Sequence, residues 1–266
     1  MTERRHFFQL FLFLSIVLPI ASGWQIQFVA RPFTALSVSN RGLEVRQEGA
    51  TPTEGGMILY CKAGPDGQAI GDCPFCHFVR LVLEELNLEY EVLPTTSETK
   101  PKWLVDHYEG KMPALRHRKE CYTESSVIVD YLLFFFGKNK EISQTSSNDI
   151  VGGLFPAVAK YLKHTPDNDD TDLELRDNLK IILQQLDDHL VGKQFWNGDI
   201  FTQVDCKLAP QLYHLQCGID AFQKQIDLAE YDHLTLYMSN LFARPSFQAT
   251  VYPKETVEWG WSNARN

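Results

Sequence analysis

Two cysteines separated by two residues, Cys73 and Cys76 in the segment GDCPFCHFV, are the residues of this chain best suited to covalent chemistry. A thiol is a good nucleophile only when it ionises, and the free N–H groups and positive dipole end of a helix N-terminus lower its pKa. The sequence places Cys73 where a turn leads into a helix, so we expect its thiolate to be favoured. Cys76 lies about one helical turn further on, a position that suits a resolving thiol.

The same pair could instead be half of a metal site or two inert, buried thiols. A zinc or iron–sulfur site needs two or more further ligands, usually a second close pair of cysteines. The other cysteines offer no such spacing, since they are Cys61, Cys121, Cys206 and Cys217. We therefore favour a redox-active or nucleophilic thiol over a metal site, and we expect no metal ligands in this chain.

Hydrophobic periodicity predicts the elements that position Cys73. A short apolar run predicts a buried strand, and apolar residues at three- and four-residue intervals after Cys73 predict a helix with one buried face. In chain order we predict a strand from Met57, a helix from Cys73, a strand at 88–95, a helix at 100–107, a hairpin over 114–122 and a helix from Ser125. The order βαβαββα is that of a thioredoxin-like domain.

A second, helical domain is predicted after a polar segment. Residues 137–149 lose all periodicity and read as a linker. Beyond them apolar residues recur at helical intervals, and Thr202 and Asp205 have the spacing of a capping box that starts another helix. We predict an α/β thioredoxin-like domain at 57–136 and an all-α domain at 150–266.

The first 56 residues have the features of a leader. Residues 1–23 carry arginines, then an apolar run, then small residues, as a cleaved signal peptide does, and the run is short for the alternative of a membrane anchor. Residues 24–56 are poor in acids and contain scattered hydroxyl groups, which is typical of a transit peptide. A signal peptide before a transit-like segment resembles the leader of proteins sent to complex plastids. We predict a plastid destination, with the secretory pathway as the alternative.

The net charge of −9 limits the partners of this chain. A general nucleic-acid binder needs a basic face for phosphate contacts, so we expect no nucleic-acid partner. No segment after the leader is long and apolar enough to span a bilayer.

Three motifs together resemble the glutathione-binding half of the glutathione S-transferase superfamily: CPFC after a strand, KMPAL before a hairpin and ESS at the start of a helix. The resemblance implies the glutathione S-transferase fold, a thioredoxin-like domain followed by an all-helical one. It also implies a cis bond before Pro113, with Met112 offering its backbone to the cysteinyl part of glutathione. Glu124 and Ser125 would hold the γ-glutamyl end, with the helix N-terminus completing an anion site.

Within that superfamily the Cys-Pro-Phe motif occurs in plant-type glutathione-dependent dehydroascorbate reductases and in chloride intracellular channel proteins. The stretches LYCKAGPDGQAIGDCPF, TKPKWL, DCKLAPQLYHLQ and EWGW resemble the reductases, over roughly residues 57–261. The resemblance implies reduction of dehydroascorbate to ascorbate through the Cys73 thiol and a mixed disulfide, with glutathione as co-substrate and no bound cofactor. We expect these two small molecules as partners, a monomer, and no stable membrane insertion of the mature chain.

The resemblance assigns further residues to the site. Lys62 and Asp72 would contact both glutathione and the ascorbate side, and Lys62 could stabilise the thiolate of Cys73. His214 and Trp261 match positions that can wall the ascorbate side. The alternatives are surface charges without a role for the first pair and ordinary packing for the second. The remaining glutathione-binding candidates are Phe75 and Lys100, of which the lysine could pair with a carboxylate or cap a short helix.

One departure from the reductases bears on the mechanism. These enzymes usually carry serine where this chain has Cys76, so glutaredoxin-like thiol transfer through a disulfide of Cys73 and Cys76 is an alternative function. A membrane-inserting, channel-like protein is another, prompted by the apolar run at 130–136, although core packing is the better account of so short a run. We predict that Cys73 is the nucleophile and that Cys76 is dispensable.

Overall fold

The computed structural model describes residues 56–138, 140–143 and 149–265. The predicted signal peptide at 1–23 and nearly all of the transit-like segment at 24–56 lie outside these residues, as does part of the predicted linker at 137–149.

A four-stranded mixed sheet in the order β2-β1-β3-β4 organises the first part of the chain. Strand β1 (Met57–Lys62) pairs in parallel with β2 (Tyr90–Thr95) and antiparallel with β3 (Ala114–His117), which forms a hairpin with β4 (Glu120–Thr123). The parallel pair needs a crossover connection, and the helix that begins after Cys73 supplies it. Strand β1 is buried on both faces except at Lys62, as its continuous apolar sequence predicts.

Three helices complete this part: α1 (Pro74–Glu85), α2 (Lys102–Tyr108) and α3 (Ser125–Phe136). Proline at the first position of α1 costs no hydrogen bond, because the first N–H groups of a helix have no partner within it. The helix buries Val79, Val82 and Leu83 against the sheet and the helices that follow. The predicted βαβαββα order is confirmed, with α2 starting two residues later than the sequence pattern suggested.

The second part is helical. Its elements are α4 (Asp149–Lys163), α5 (Asp170–Leu190), α6 (Gln203–Phe222), α7 (Asp232–Phe242), α8 (Pro245–Thr250) and α9 (Lys254–Arg265), with short 3₁₀ turns at Glu141–Ser143 and Leu228–Glu230. The predicted fold class, a thioredoxin-like half followed by an all-helical half, is confirmed.

The start of α6 follows the predicted capping box. The buried Asp205 carboxylate accepts hydrogen bonds from the Thr202 N–H at 2.7 Å and its hydroxyl at 2.9 Å. The Trp196 N–H at 2.7 Å and the Tyr237 hydroxyl at 2.8 Å donate to its other oxygen. Burial nevertheless raises the pKa of Asp205. The carboxylate fixes the start of α6, the helix that forms one side of the site described below.

The two parts meet along α1. Arg244 forms a bidentate ion pair with Glu85, and Arg80 donates to the carbonyl oxygen of Thr250 at 2.6 Å. The helical part is therefore bound to the helix that begins after Cys73, the element that positions the predicted nucleophile.

The apolar run at 130–136 does not pack as predicted. Leu132 is fully buried, but Phe134 and Phe135 are 68% and 57% exposed, so core packing accounts for only part of the run. Within the part of the chain that the structure describes, no helix has the length and apolar character needed to cross a membrane.

Candidate active site

Cys73 lies at the junction between a tight turn and α1. It is the N-cap residue of the helix, its side chain is half-buried, and its carbonyl oxygen accepts the His77 N–H at 3.1 Å. The preceding turn folds back on β1, where the Gly71 N–H donates to the carbonyl oxygen of Lys62 at 2.7 Å. A Cβ at residue 71 would lie 2.5 Å from the Ala63 carbonyl oxygen, so only glycine permits this close approach.

The thiols of Cys73, Cys76 and Cys61 lie in contact with one another in sequence from this junction to the protein interior. Cys76 and Cys61 are fully buried, and the Cys76 thiol interacts with those of both Cys73 and Cys61. All six cysteines of the chain are free thiols. Cys76 therefore contacts the predicted nucleophile, as a resolving thiol must, but it has a second sulfur neighbour that the sequence did not suggest.

The environment of Cys73 opposes ionisation. The hydrogen bond with the Cys76 thiol and burial raise the pKa of Cys73 well above its ordinary value, and the backbone N–H groups of Cys76 and Phe75 lower it by less. The hydrogen bond with Cys61 and burial likewise raise the pKa of Cys76. The expectation that the helix N-terminus favours the Cys73 thiolate is therefore wrong, because the neighbouring thiol and desolvation outweigh the N–H groups.

Lys62 and Asp72 form an ion pair beside Cys73. The Lys62 Nζ lies 2.7 Å from Asp72 Oδ1, with the carboxylate side chain 12% and the lysine side chain 45% exposed. The ammonium group also lies 5.4 Å from the centroid of the Trp259 ring. Lys62 is thus compensated by a carboxylate of the residue that precedes the predicted nucleophile.

Residues of the helical part of the chain contact Asp72. The Tyr252 hydroxyl donates to the Asp72 carbonyl oxygen at 3.1 Å, and the His214 Nε2 lies 2.9 Å from the Tyr252 hydroxyl oxygen. A Cβ on Gly260 of α9 would overlap the Asp72 carboxylate, so glycine is needed there. Sequence reasoning missed Tyr252 and Gly260, and the EWGW stretch was the signal present for the glycine.

His214 and Trp261 lie beneath the site and not on its surface. They are 1% and 5% exposed, with ring centroids 5.7 Å apart, and both pack near Phe155. Burial lowers the pKa of His214 to about 4, so its ring is neutral at pH 7. Their predicted place on a substrate wall is corrected by this packing, and His214 reaches the site through Tyr252.

A cavity of about 600 Å³ opens next to the start of α1. Five of the predicted glutathione-binding residues line it together: Phe75, Met112, Pro113, Glu124 and Ser125. The bond between Met112 and Pro113 is cis, as the resemblance implied.

Other predicted residues, including the predicted nucleophile Cys73, are not among the residues that line this cavity. Lys62 and Asp72 lie at the ion pair described above, and the Lys100 side chain lies over Gly110, with its Cδ and Nζ each 3.3 Å from where a Cβ of that glycine would be. Among the described residues, no cluster of three histidine, cysteine, aspartate or glutamate side chains is placed to hold a metal ion.

Several lining residues were missed by sequence reasoning. They are Lys111, Ser126, Asp130, Gln203, Lys207 and Gln211. The last three recur every four residues along α6, which puts them on one helix face, and this polar spacing in a largely apolar helix was a readable signal.

Charges at the cavity mouth are partly paired. The Lys111 Nζ lies 3.3 Å from a Glu124 carboxylate oxygen and 3.4 Å from one of Glu109, and the hydrogen bond with Glu124 raises the pKa of Lys111. Glu124 has a φ of 69°, an uncommon value for a residue with a side chain, and it directs the chain into α3.

A family model and known proteins match this chain in sequence. Residues 69–139 match the model of the glutathione S-transferase N-terminal domain. The chain is 31% identical to glutathione S-transferase DHAR2 of Arabidopsis thaliana over 79% of its own length and 97% of that protein. It is 28% identical to the chloroplastic DHAR3 of the same plant, over 72% of this chain and 74% of the relative.

Solved structures agree with these relatives. Dehydroascorbate reductase of Chlamydomonas reinhardtii matches with a TM-score of 0.70 and 27% identity, over 78% of this chain and 98% of that one. A Tau class glutathione S-transferase from mango, at 18% identity and a TM-score of 0.65, shares the fold over 79% of this chain and 99% of its own.

Proposed function

Because this chain belongs to the plant-type dehydroascorbate reductases of the glutathione S-transferase superfamily, we propose that it reduces dehydroascorbate to ascorbate with glutathione as co-substrate. The observation that carries the proposal is the position of the half-buried Cys73 at the N-cap of α1, next in sequence to residues that line the 600 Å³ cavity. That cavity begins at Pro74 and Phe75, the two residues after the thiol, and is large enough for a small peptide.

The proposed cycle is a sequence of thiol reactions at Cys73. In the first step the thiol gives two electrons to dehydroascorbate, and with one water it becomes a sulfenic acid while ascorbate leaves. Glutathione then condenses with the sulfenic acid, which forms a mixed disulfide and releases water. A second glutathione attacks this disulfide, which releases oxidised glutathione and restores the Cys73 thiol.

The surrounding residues have separate parts in this proposal. Met112 and Pro113 would face the cysteinyl part of glutathione, and Glu124 and Ser125 its γ-glutamyl end, since all four line the same cavity. The ion pair of Lys62 and Asp72 would meet the second substrate on the other side of the Cys73 turn. No step in this cycle requires a metal ion or a bound cofactor, and we propose that the protein works as a monomer.

The test is an assay of the purified protein with glutathione and dehydroascorbate, followed by the absorbance of ascorbate. We expect a rate well above that of the uncatalysed reaction. A rate no higher than the protein-free control would contradict the proposal. A parallel assay with hydroxyethyl disulfide ranks glutaredoxin-like transfer, which the contact of Cys73 with Cys76 would permit, against dehydroascorbate reduction.

The destination of the protein is a separate proposal. The relatives include proteins named as chloroplastic and one named as cytosolic. We propose that the leader directs this chain to a plastid and that the mature domains are those predicted at 57–136 and 150–266. N-terminal sequencing of the protein from its own cells tests this, since a start near Thr51 to Met57 supports a transit peptide and a start near Trp24 supports secretion.

A further inference from the structure

A polar stripe on α6 faces the cavity. Gln203, Lys207 and Gln211 all line it, although the rest of α6 is largely buried among apolar side chains such as Leu208 and Leu212. Long polar side chains at successive four-residue steps are not required for packing a helix of this kind. Their common direction therefore points to a ligand.

Gln211 carries an acceptor that lacks a partner. The residue is 4% exposed, and its Oε1 has no hydrogen-bond partner among the described residues. A buried amide oxygen without a donor is unfavourable, so native proteins rarely leave one in that state unless a ligand or water completes it. A ligand in the cavity that offers an N–H group would complete it.

Lys207 is a cation without a matching anion. Within residues 56–138, 140–143 and 149–265 it forms no ion pair, whereas Lys111, the other lysine at the cavity, is paired with Glu109 and Glu124. Lys207 is half-buried at the cavity wall, where its ammonium group favours a carboxylate ligand because a lower local dielectric strengthens their attraction.

The chemistry of the lining matches one end of glutathione. The γ-glutamyl residue carries both an α-carboxylate and an α-ammonium group, and the cavity combines the Lys207 cation with the carboxylates of Glu124 and Asp130 and the Ser126 hydroxyl. We propose that Lys207 pairs with the α-carboxylate of the γ-glutamyl residue and that Gln211 accepts a hydrogen bond from an N–H group of the same peptide. This inference rests on the proposed function, since it takes glutathione as the ligand, and it makes the helical part a direct partner of that ligand.

The glycyl carboxylate of glutathione is the other anion that Lys207 could meet, and three peptides separate the two. Binding of reduced glutathione, γ-glutamylcysteine and cysteinylglycine is measured by calorimetry under anaerobic conditions, on the purified protein and on Lys207→Met. We expect Lys207→Met to bind glutathione and γ-glutamylcysteine about tenfold more weakly, as for the loss of a charge-assisted hydrogen bond, and cysteinylglycine as the wild type does.

Further variants test whether the effects on binding are specific to Lys207 and Gln211. Lys160→Met, which removes an exposed lysine of α4, should bind all three peptides like the wild type, and Lys207→Arg should retain most of the glutathione affinity. Gln211→Met should weaken glutathione binding several-fold while the ligand-free protein melts at the same temperature or higher, because an unpaired buried acceptor has been removed. A destabilised Gln211→Met with unchanged binding would contradict a ligand role for that residue.

The remaining outcomes separate this inference from the proposed reaction. If Lys207→Met binds glutathione and cysteinylglycine equally more weakly and binds γ-glutamylcysteine as the wild type does, Lys207 is assigned to the glycyl carboxylate. That result would overturn the proposal. Unchanged binding in Lys207→Met would also overturn it. A wild-type protein that binds glutathione but does not reduce dehydroascorbate would leave this site standing and remove the proposed reaction, whereas failure to bind glutathione would remove both.

Discussion

The polar groups behind Cys73, on its buried side, and those in front of it, at the mouth of the cavity, are arranged in opposite ways. Behind it, Asp72, His214 and Tyr252 are at most 8% exposed and are joined to one another by hydrogen bonds. In front of it, Lys111 and Glu124 lie at the exposed mouth of the cavity and form one ion pair at 3.3 Å.

This difference separates two tasks of the site. Buried, hydrogen-bonded groups are costly to disturb, so they fix where the Cys73 turn lies and how readily its thiol ionises. Exposed ion pairs contribute little to stability and rearrange easily, which suits a surface that receives a ligand. Substitutions behind Cys73 should therefore change the chemistry or the fold, and those in front should change ligand affinity.

The largest effect should come from the thiol itself. Cys73→Ser should lower the turnover of dehydroascorbate on the order of a thousandfold or more, because a serine hydroxyl cannot form a mixed disulfide with glutathione. The steady-state rate at fixed glutathione measures this. The melting temperature and the calorimetric affinity for glutathione serve as controls, and both should stay near those of the wild type. Substantial remaining turnover would move the nucleophile to another thiol.

Gly260 offers the next largest effect, on the buried side. Gly260→Ala places a methyl group where the Asp72 carboxylate lies, so either α9 or the Cys73 turn must shift. We expect the free energy of unfolding to fall by about 1–3 kcal/mol, as for an overpacked core, and turnover to fall with it. Chemical denaturation measures the first quantity.

Gly152→Ala is the matched control for that change. Its Cβ would meet nothing within 4 Å, and the residue is an exposed position of α4, so alanine should stabilise the protein by up to about 1 kcal/mol. Equal effects of the two substitutions would show that Asp72 is not constrained by α9.

Cys76 tests whether the buried side sets the reactivity of Cys73. Its thiol is the largest cause of the raised pKa of Cys73, so in the wild type the thiolate is scarce at neutral pH and the rate should rise as the pH increases. In Cys76→Ser the hydroxyl can donate to the thiolate, which lowers the pKa of Cys73. The rising limb of the pH–rate profile should shift to lower pH, with the neutral rate retained or increased.

A different outcome would change the mechanism. Near-complete loss of activity in Cys76→Ser, equal to that in Cys73→Ser, would show that the two thiols work as a dithiol and that Cys76 is not dispensable. Cys217→Ser, another buried thiol of the chain, controls for the general effect of a serine in the interior, and its profile should match that of the wild type.

Local patterns were sufficient for the elements, and the family resemblance supplied the residues at the front of the site. The period of the apolar residues predicted β1 and α1, and the turn between them predicted the place of Cys73. The motifs KMPAL and ESS predicted residues that do meet in one cavity, because each motif lies at the end of an element of the same sheet.

The back of the site could not be read in this way, because it depends on packing between distant segments. Tyr252 reaches the backbone of Asp72 across 180 residues of sequence. His214 matched a position expected at a substrate wall, but the depth at which α6 packs decides its exposure. The pKa of Cys73 was misjudged for the same reason: helix position is visible in the sequence, whereas burial and contact with the Cys76 thiol depend on the folded chain.

Tyr252 provides the smallest and most specific test of the buried side. Its hydroxyl donates to the Asp72 carbonyl oxygen, so the neutral His214 must donate its Nε2 proton to the Tyr252 oxygen, and both bonds end in Tyr252→Phe. We expect a loss of about 1 kcal/mol in the free energy of unfolding and a few-fold lower kcat. The KM for glutathione should not change, since Tyr252 does not line the cavity.

The matched control for Tyr252→Phe is Tyr213→Phe. The Tyr213 hydroxyl also donates to a backbone carbonyl oxygen at 3.1 Å, but that oxygen belongs to Tyr252 and not to the Cys73 turn. Both variants remove one tyrosine hydroxyl from the same aromatic cluster, so a general effect of packing lowers kcat in both. A lower kcat in Tyr252→Phe alone shows that the hydrogen bond to Asp72 positions the nucleophile. An equal decrease in the two would assign the contact a structural role, and the separation between the back and the front of Cys73 would then rest on Cys76 and Gly260.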